Sequence, residues 1–122
     1  MVVRVAQYTV DVEDVGLMAA FWSAALGYTV EQGEDGSAKL FPQRTAAGPT
    51  VWLQGSGTAK LGKNRLHLDV VGDGDADAEV RRLISLGAQR ADVGQTGDEP
   101  FVVLTDPEGN EFCVLDHPPA RP

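Results

Sequence analysis

The sequence predicts an α+β fold: two tandem βαβββ modules forming cupped mixed sheets with helices on the outer faces. Three observations predict it. Two segments, about 14–26 and 75–86, read as helices and each ends on Leu-Gly. Each is preceded by one alternating strand and followed by three short ones. A shift of 60 positions then superposes Leu26-Gly27 on Leu86-Gly87, Val10 on Val70 and Phe41 on Phe101.

The elements follow in order. Residues 4–10 alternate, with Ala6, Tyr8 and Val10 on one face and Val5, Gln7 and Thr9 on the other, as a half-buried strand does. Asp14 is placed to cap a helix in which Met18, Phe21, Trp22 and Ala25 recur at helical spacing, and Gly27 stops it. Strands are expected near 28–33, 38–42 and 50–54. The segment 55–63, rich in Gly, Ser and Lys, is the linker. The alternation of 64–71 sets Leu66, Leu68 and Val70 against Arg65, His67 and Asp69. A helix follows at 75–86, with Asp75, Asp77 and Glu79 early and Arg81 and Arg82 later, an order that suits the helix dipole. Gly87 ends it, and strands are expected near 88–93, 100–105 and 111–116. Residues 102–115 read as a hairpin whose turn is Asp106-Pro107-Glu108-Gly109-Asn110. The organisation is one domain: module one 1–54, linker 55–63, module two 64–116, tail 117–122.

Composition bounds the function. The 122 residues are enough to bury a core, and the net charge is −8 with a pI near 4.5. A nucleic-acid surface needs clustered Lys and Arg, so that partner is excluded. An acidic surface keeps a small protein dispersed and also suits a cationic ligand. The single cysteine, Cys113, rules out an internal disulfide and a Cys-rich zinc site. No segment approaches membrane-spanning length, and the first residues lack a signal-peptide pattern, so a cytoplasmic protein with no membrane partner is expected. Asp73-Gly74-Asp75-Ala76-Asp77 opens like a calcium loop but fails at Ala78, where glycine is needed, and at Ile84, where glutamate is needed. Helix capping accounts for it.

Strand parity defines a candidate site. The large apolar residues Ala6, Tyr8, Val10 and Trp52, and Leu66, Leu68, Val70, Phe112 and Val114, are expected to cover the helices. The opposite set then lines a concave face: Val5, Gln7, Thr9, Val51, Leu53, Arg65, His67, Asp69, Glu111, Cys113 and Leu115. Polar groups there need partners or a ligand. His67 with a carboxylate neighbour, Asp69 or Glu111, suits general acid–base work or ligand orientation. Arg65 suits a carboxylate or phosphate. Cys113 reads as a small buried hydrophobe.

The hairpin Thr105–Leu115, the helix end Ala20-Phe21-Trp22-Ser23-Ala24-Ala25-Leu26-Gly27-Tyr28 and the segment Lys63-Asn64-Arg65-Leu66-His67-Leu68-Asp69 together resemble the vicinal oxygen chelate superfamily, which includes glyoxalases, bleomycin-resistance proteins and extradiol dioxygenases. Lys63-Asn64-Arg65 is similar to a feature of a glyoxalase-like subgroup. The resemblance covers nearly the whole chain. It implies four metal-ligand positions, which fall on Gln7, Leu53, His67 and Cys113; Gln7 to Leu53 and His67 to Cys113 each span 46 positions. Leu53 has no donor atom, so no tightly held metal or other cofactor is expected, although His67 is a good ligand for a divalent ion. The function the resemblance implies is binding of a small molecule in a concave sheet pocket, as in bleomycin-resistance-like sequestration. Its rival is a lyase, isomerase or dioxygenase using His67 and Glu111 as catalytic residues, with Gln7, Thr9, Leu53, Arg65, Asp69 and Cys113 binding the ligand. A homodimer is expected. Ligand choice is assigned to the loops 34–37, 43–49 and 94–99.

Overall fold

Asp14 and Gly27 bound the first helix as the sequence predicts. In the computed structural model, which describes residues 1–43 and 48–120, α1 spans Val15–Leu26. The Asp14 carboxylate accepts from the Leu17 N–H at 3.0 Å, and Gly27 takes the left-handed conformation at φ 70° that a side chain would strain. The second helix, α2, spans Ala76–Leu86, with Asp75 as its cap and Gly87 at φ 127° as its stop. The offset of about 60 between the two helices is that of the repeat. Arg44–Ala47, within the loop expected to influence ligand choice, lie outside the described residues, as do Arg121 and Pro122 of the tail.

The chain divides into two compact units, Met1–Ala59 and Lys60–Pro122. In the first, β1 (Gln7–Val12), α1, β2 (Thr29–Gln32), β3 (Ala38–Phe41) and β4 (Thr50–Gly55) form a sheet of order β1-β4-β3-β2 under the helix. β1 and β4 run parallel and the remaining pairs antiparallel. Its core is Val12, Met18, Ala19, Phe21, Trp22, Ala38, Leu40, Val51 and Leu53. Phe21 and Trp22 meet edge to face, with ring centroids 5.1 Å apart.

The second unit repeats the plan with β5 (Asp69–Val70), α2, β6 (Gln89–Arg90), β7 (Phe101–Thr105) and β8 (Glu111–Leu115), in the order β5-β8-β7-β6. The hairpin register sets Val102 opposite Val114 and Leu104 opposite Phe112, the apolar face that the sequence predicts. Its turn is built on Asp106, only 3% exposed, whose carboxylate accepts from the N–H groups of Glu108 and Asn110. Gly109 supplies the positive φ, 87°. No helix among the described residues is long and apolar enough to cross a membrane.

Three expectations are corrected. The strand expected over 64–71 shrinks to Asp69–Val70, because the Asn64 side chain makes the bonds a strand backbone would make. Asn64 Oδ1 accepts from the Glu111 N–H at 2.9 Å, and Asn64 Nδ2 donates to the Glu111 carbonyl at 3.3 Å and to the Leu66 carbonyl at 2.6 Å. The chain bends at Arg65-Leu66, and Leu66 is 75% exposed instead of covering α2. The strand expected over 88–93 stops at Arg90. Beyond it the side chains of Asp92 and Gln95 take the N–H groups of Gly94 and Val93. On β4 the faces are reversed: Val51 and Leu53 are buried beneath α1, and Trp52 lies on the opposite face with Lys39 Nζ 5.5 Å from its ring centroid.

That reversal follows from pairing. Gln7 lies opposite Thr50, 43 positions on, whereas Asp69 lies opposite Cys113, 44 positions on. Partners across a strand pair share a face. A common spacing of 46 therefore keeps Cys113 on the His67 face but carries Leu53 to the face opposite Gln7.

Candidate functional site

The polar face of the second unit is held by two strand pairings. Asp69 and Cys113 are direct partners on the parallel β5–β8 pair, and Val103 opposite Cys113, with Phe101 opposite Leu115, extends the same face onto β7. Phe112, Val114 and Leu104 alternate to the other side and bury against α2 with Val80 and Leu83. The result is a cavity of about 230 Å³, with an apolar wall of Val93, Phe101, Val103 and Leu115 and a polar edge of Lys63, His67, Asp69 and Glu111, and with Cys113 in its floor.

Three side chains converge at the polar edge. His67 Nδ1 lies 3.3 Å from Asp69 Oδ1, and donor atoms of His67, Asp69 and Cys113 all fall within 4.8 Å of one another. His67 and Asp69 are well exposed, whereas Cys113 is 9% exposed. Burial, and then the Asp69 carboxylate that the thiol contacts, push the Cys113 thiol above its ordinary range. A protonated, acceptor-bound thiol is a poor nucleophile.

Glu111 is differently placed. Its two carboxylate oxygens are engaged by Lys60 Nζ at 3.1 Å and by the Asn64 N–H at 3.2 Å. Burial alone raises its carboxyl, but the backbone hydrogen bonds and Lys60 outweigh burial and leave it below the ordinary glutamate value. Glu111 is therefore a tethered anion that fixes the segment 60–64 to β8. Asp69, not Glu111, is the carboxylate beside His67.

Of the residues singled out in the sequence, His67, Asp69, Glu111 and Cys113 come together around this cavity. Arg65 does not line it: the bend turns it to solvent, and Lys63 is the cation at the edge. Gln7 and Thr9 belong to the first unit, on the exposed face of β1 that also carries Trp52. Leu53 is fully buried in that unit's core and faces away from them. Sequence reasoning missed Lys63, Val93, Phe101 and Val103. Phe101 and Val103 were legible as the odd-parity set of β7, opposite Val102 and Leu104. Lys63 was legible as the next position in the 65, 67, 69 series. Nothing in the pattern marks Val93, which follows β6 in irregular chain.

The four metal positions implied by the resemblance do not fit a metal. Leu53 is buried and has no donor atom, and Trp52, which occupies the face expected of it, offers only an indole N–H.

The fold is shared with solved proteins. The fosfomycin resistance protein FosX from Listeria monocytogenes superposes with a TM-score of 0.71 at 14% identity, over 94% of this chain and 93% of that one. A glyoxalase/bleomycin resistance protein from Albidiferax ferrireducens T118 gives 0.66 at 21% identity, covering 94% and 98%. TnmS3, an antibiotic binding protein from Streptomyces sp. CB03234, gives 0.59 at 19% identity, covering 93% and 95%. No protein of curated function matches the sequence. The profile of the glyoxalase-like domain matches residues 7–115, nearly the whole chain. With its repeated β1-β4-β3-β2 and β5-β8-β7-β6 sheets, the chain belongs to the glyoxalase-like domain family of the vicinal oxygen chelate superfamily.

Proposed function

We propose that the second unit binds a compact small molecule, its apolar body against Phe101, Val103 and Leu115 and its polar group at His67, Asp69 and Lys63. The observation that carries this reading is the cavity itself: an apolar wall facing a convergent polar edge, the usual make-up of a ligand site. At about 230 Å³ it lies below the roughly 300–1,000 Å³ of sites for drug-sized ligands, so the molecule is small. The likeness to TnmS3, an antibiotic binding protein, supports small-molecule binding as the class of function. Binding without chemistry is also supported by the chemistry of the site, since the Cys113 thiol is held protonated and Glu111 is tethered.

One observation favours a second reading. A carboxylate 3.3 Å from His67 Nδ1 would orient the imidazole and leave its other nitrogen to move a proton, as a lyase or isomerase requires.

A thermal-shift screen of small molecules, followed by calorimetry on the hits, tests the first reading, because a ligand that binds the folded state raises its melting temperature by mass action. His67→Ala and Phe101→Ala should each weaken a true ligand by about 1–3 kcal/mol, while the solvent-facing Arg65→Ala should leave it unchanged. Hits that bind both cavity variants as tightly as the parent chain would refute the site. Turnover of a hit, abolished by Asp69→Asn, would favour the second reading over sequestration.

A further inference from the structure

We infer that His67, Asp69 and Cys113 form an exchangeable site for a zinc-type divalent ion, contained wholly within the second unit and open to its cavity. Among the described residues this is the group of His, Cys and carboxylate donors whose ligand atoms lie within 4.8 Å of one another. It is not the four-position arrangement implied by the resemblance. It omits Gln7 and Leu53, and it recruits Asp69, a residue outside that set.

The placement is built into the sheet. Asp69 and Cys113 are partners on neighbouring parallel strands, so their side chains leave the same face side by side. His67 lies two residues before Asp69 and reaches the same edge. Bonds of about 2.0–2.3 Å at tetrahedral angles put donors about 3.4 Å apart. The 3.3 Å between His67 and Asp69 already meets that spacing. Any wider pair in the cluster closes by rotation of these two exposed side chains, while Cys113 stays fixed in the strand.

The donor set selects the ion. One thiolate, one imidazole and one carboxylate suit zinc or cobalt, and do not suit calcium or magnesium, which take oxygen ligands. Three protein ligands leave a fourth position for water or for a donor atom of a molecule in the cavity. The charges balance: thiolate and carboxylate together offset a divalent cation. Loading releases one proton, because the Cys113 S–H bond is replaced by a sulfur–metal bond with no change of oxidation state. His67 and Asp69 are exposed to solvent, and Lys63 sets a positive charge at the same edge, so the site exchanges its metal instead of retaining it. The inference does not depend on an organic ligand, and its test uses the metal alone.

The test is titration of the full chain with cobalt(II), followed by optical absorption. The expected result is a near-ultraviolet thiolate-to-cobalt band with intense visible bands of a four-coordinate ion, saturating at one cobalt per chain and displaced by zinc. His67→Ala and Asp69→Asn should each weaken uptake by about tenfold or more. Cys113→Ser should remove the near-ultraviolet band. Because Cys113 is buried and Cys113→Ser can disturb folding, a second measurement uses the unaltered chain: zinc should slow alkylation of its single cysteine. No charge-transfer band in excess cobalt overturns the inference. So does metal uptake that is unchanged in both His67→Ala and Asp69→Asn, or alkylation at the same rate with and without zinc.

Discussion

Replacing Asn64 with alanine should destabilise the second unit and loosen the polar edge of its cavity. The side chain makes three hydrogen bonds: from the Glu111 N–H at 2.9 Å, to the Glu111 carbonyl at 3.3 Å, and to the Leu66 carbonyl at 2.6 Å. A typical intramolecular hydrogen bond contributes about 0.5–1.5 kcal/mol net, so the three together set a range of about 1.5–4.5 kcal/mol. The bond to Leu66 is exposed, and water replaces it at little loss. The two bonds to Glu111 are partly buried and lie where β5 would otherwise continue its ladder with β8. The expected loss is therefore about 2 kcal/mol. Asn64→Asp separates the parts, since it keeps the acceptor for the Glu111 N–H, removes both donated bonds and adds a carboxylate beside an existing one. It should be no more stable than Asn64→Ala. Urea unfolding reads the loss as a lower midpoint at constant slope, and hydrogen exchange reads it as faster exchange of the Glu111 amide. An unchanged midpoint with an unchanged Glu111 exchange rate would refute the claim that this amide stands in for a strand.

Further outcomes follow from the same geometry. Leu53→Ala, a truncation of a fully buried side chain, should cost about 2–5 kcal/mol, whereas Leu66→Ala, 75% exposed, should change stability by less than about 0.5 kcal/mol; equilibrium unfolding compares them. A larger cost for Leu66→Ala than for Leu53→Ala would restore the parity expected from sequence. The Glu111 carboxyl sits below its ordinary value of 4.5 in the folded state, so its contribution is complete above that pH and is lost as the pH falls through the folded value. Glu111→Gln should therefore narrow its stability gap to the parent chain as the pH falls below 4.5, measured by unfolding across an acid series. Asp35 and Glu99, also held below their ordinary values, are present in both proteins and cancel in that difference.

The sequence by itself determined the parts whose causes are local. Both helices begin at an aspartate cap and end at Leu-Gly, and the bonds that decide those ends reach two to four residues. The hairpin around Pro107 and Gly109 is local in the same way, and its alternation fixed which of its residues reach the core. The doubling of the βαβββ order followed from these parts. On β8, and on β5 with the residues just before it, parity also grouped His67, Asp69, Glu111 and Cys113 on one face.

Only the tertiary structure decided the rest. Parity states that neighbours in a strand point to opposite faces, but the choice of buried face belongs to the partner strand. On β4, where Val51, Trp52 and Leu53 are all apolar, a difference of one position between the two units' pairings reversed the assignment. The fate of residues 64–68 depended on Asn64 reaching Glu111, 47 positions away, a contact that leaves no periodic trace in the sequence. The same contact decides the chemistry of the site. It turns the Glu111 carboxylate toward Lys60 and the Asn64 N–H, and so leaves Asp69 as the carboxylate that His67 and Cys113 share.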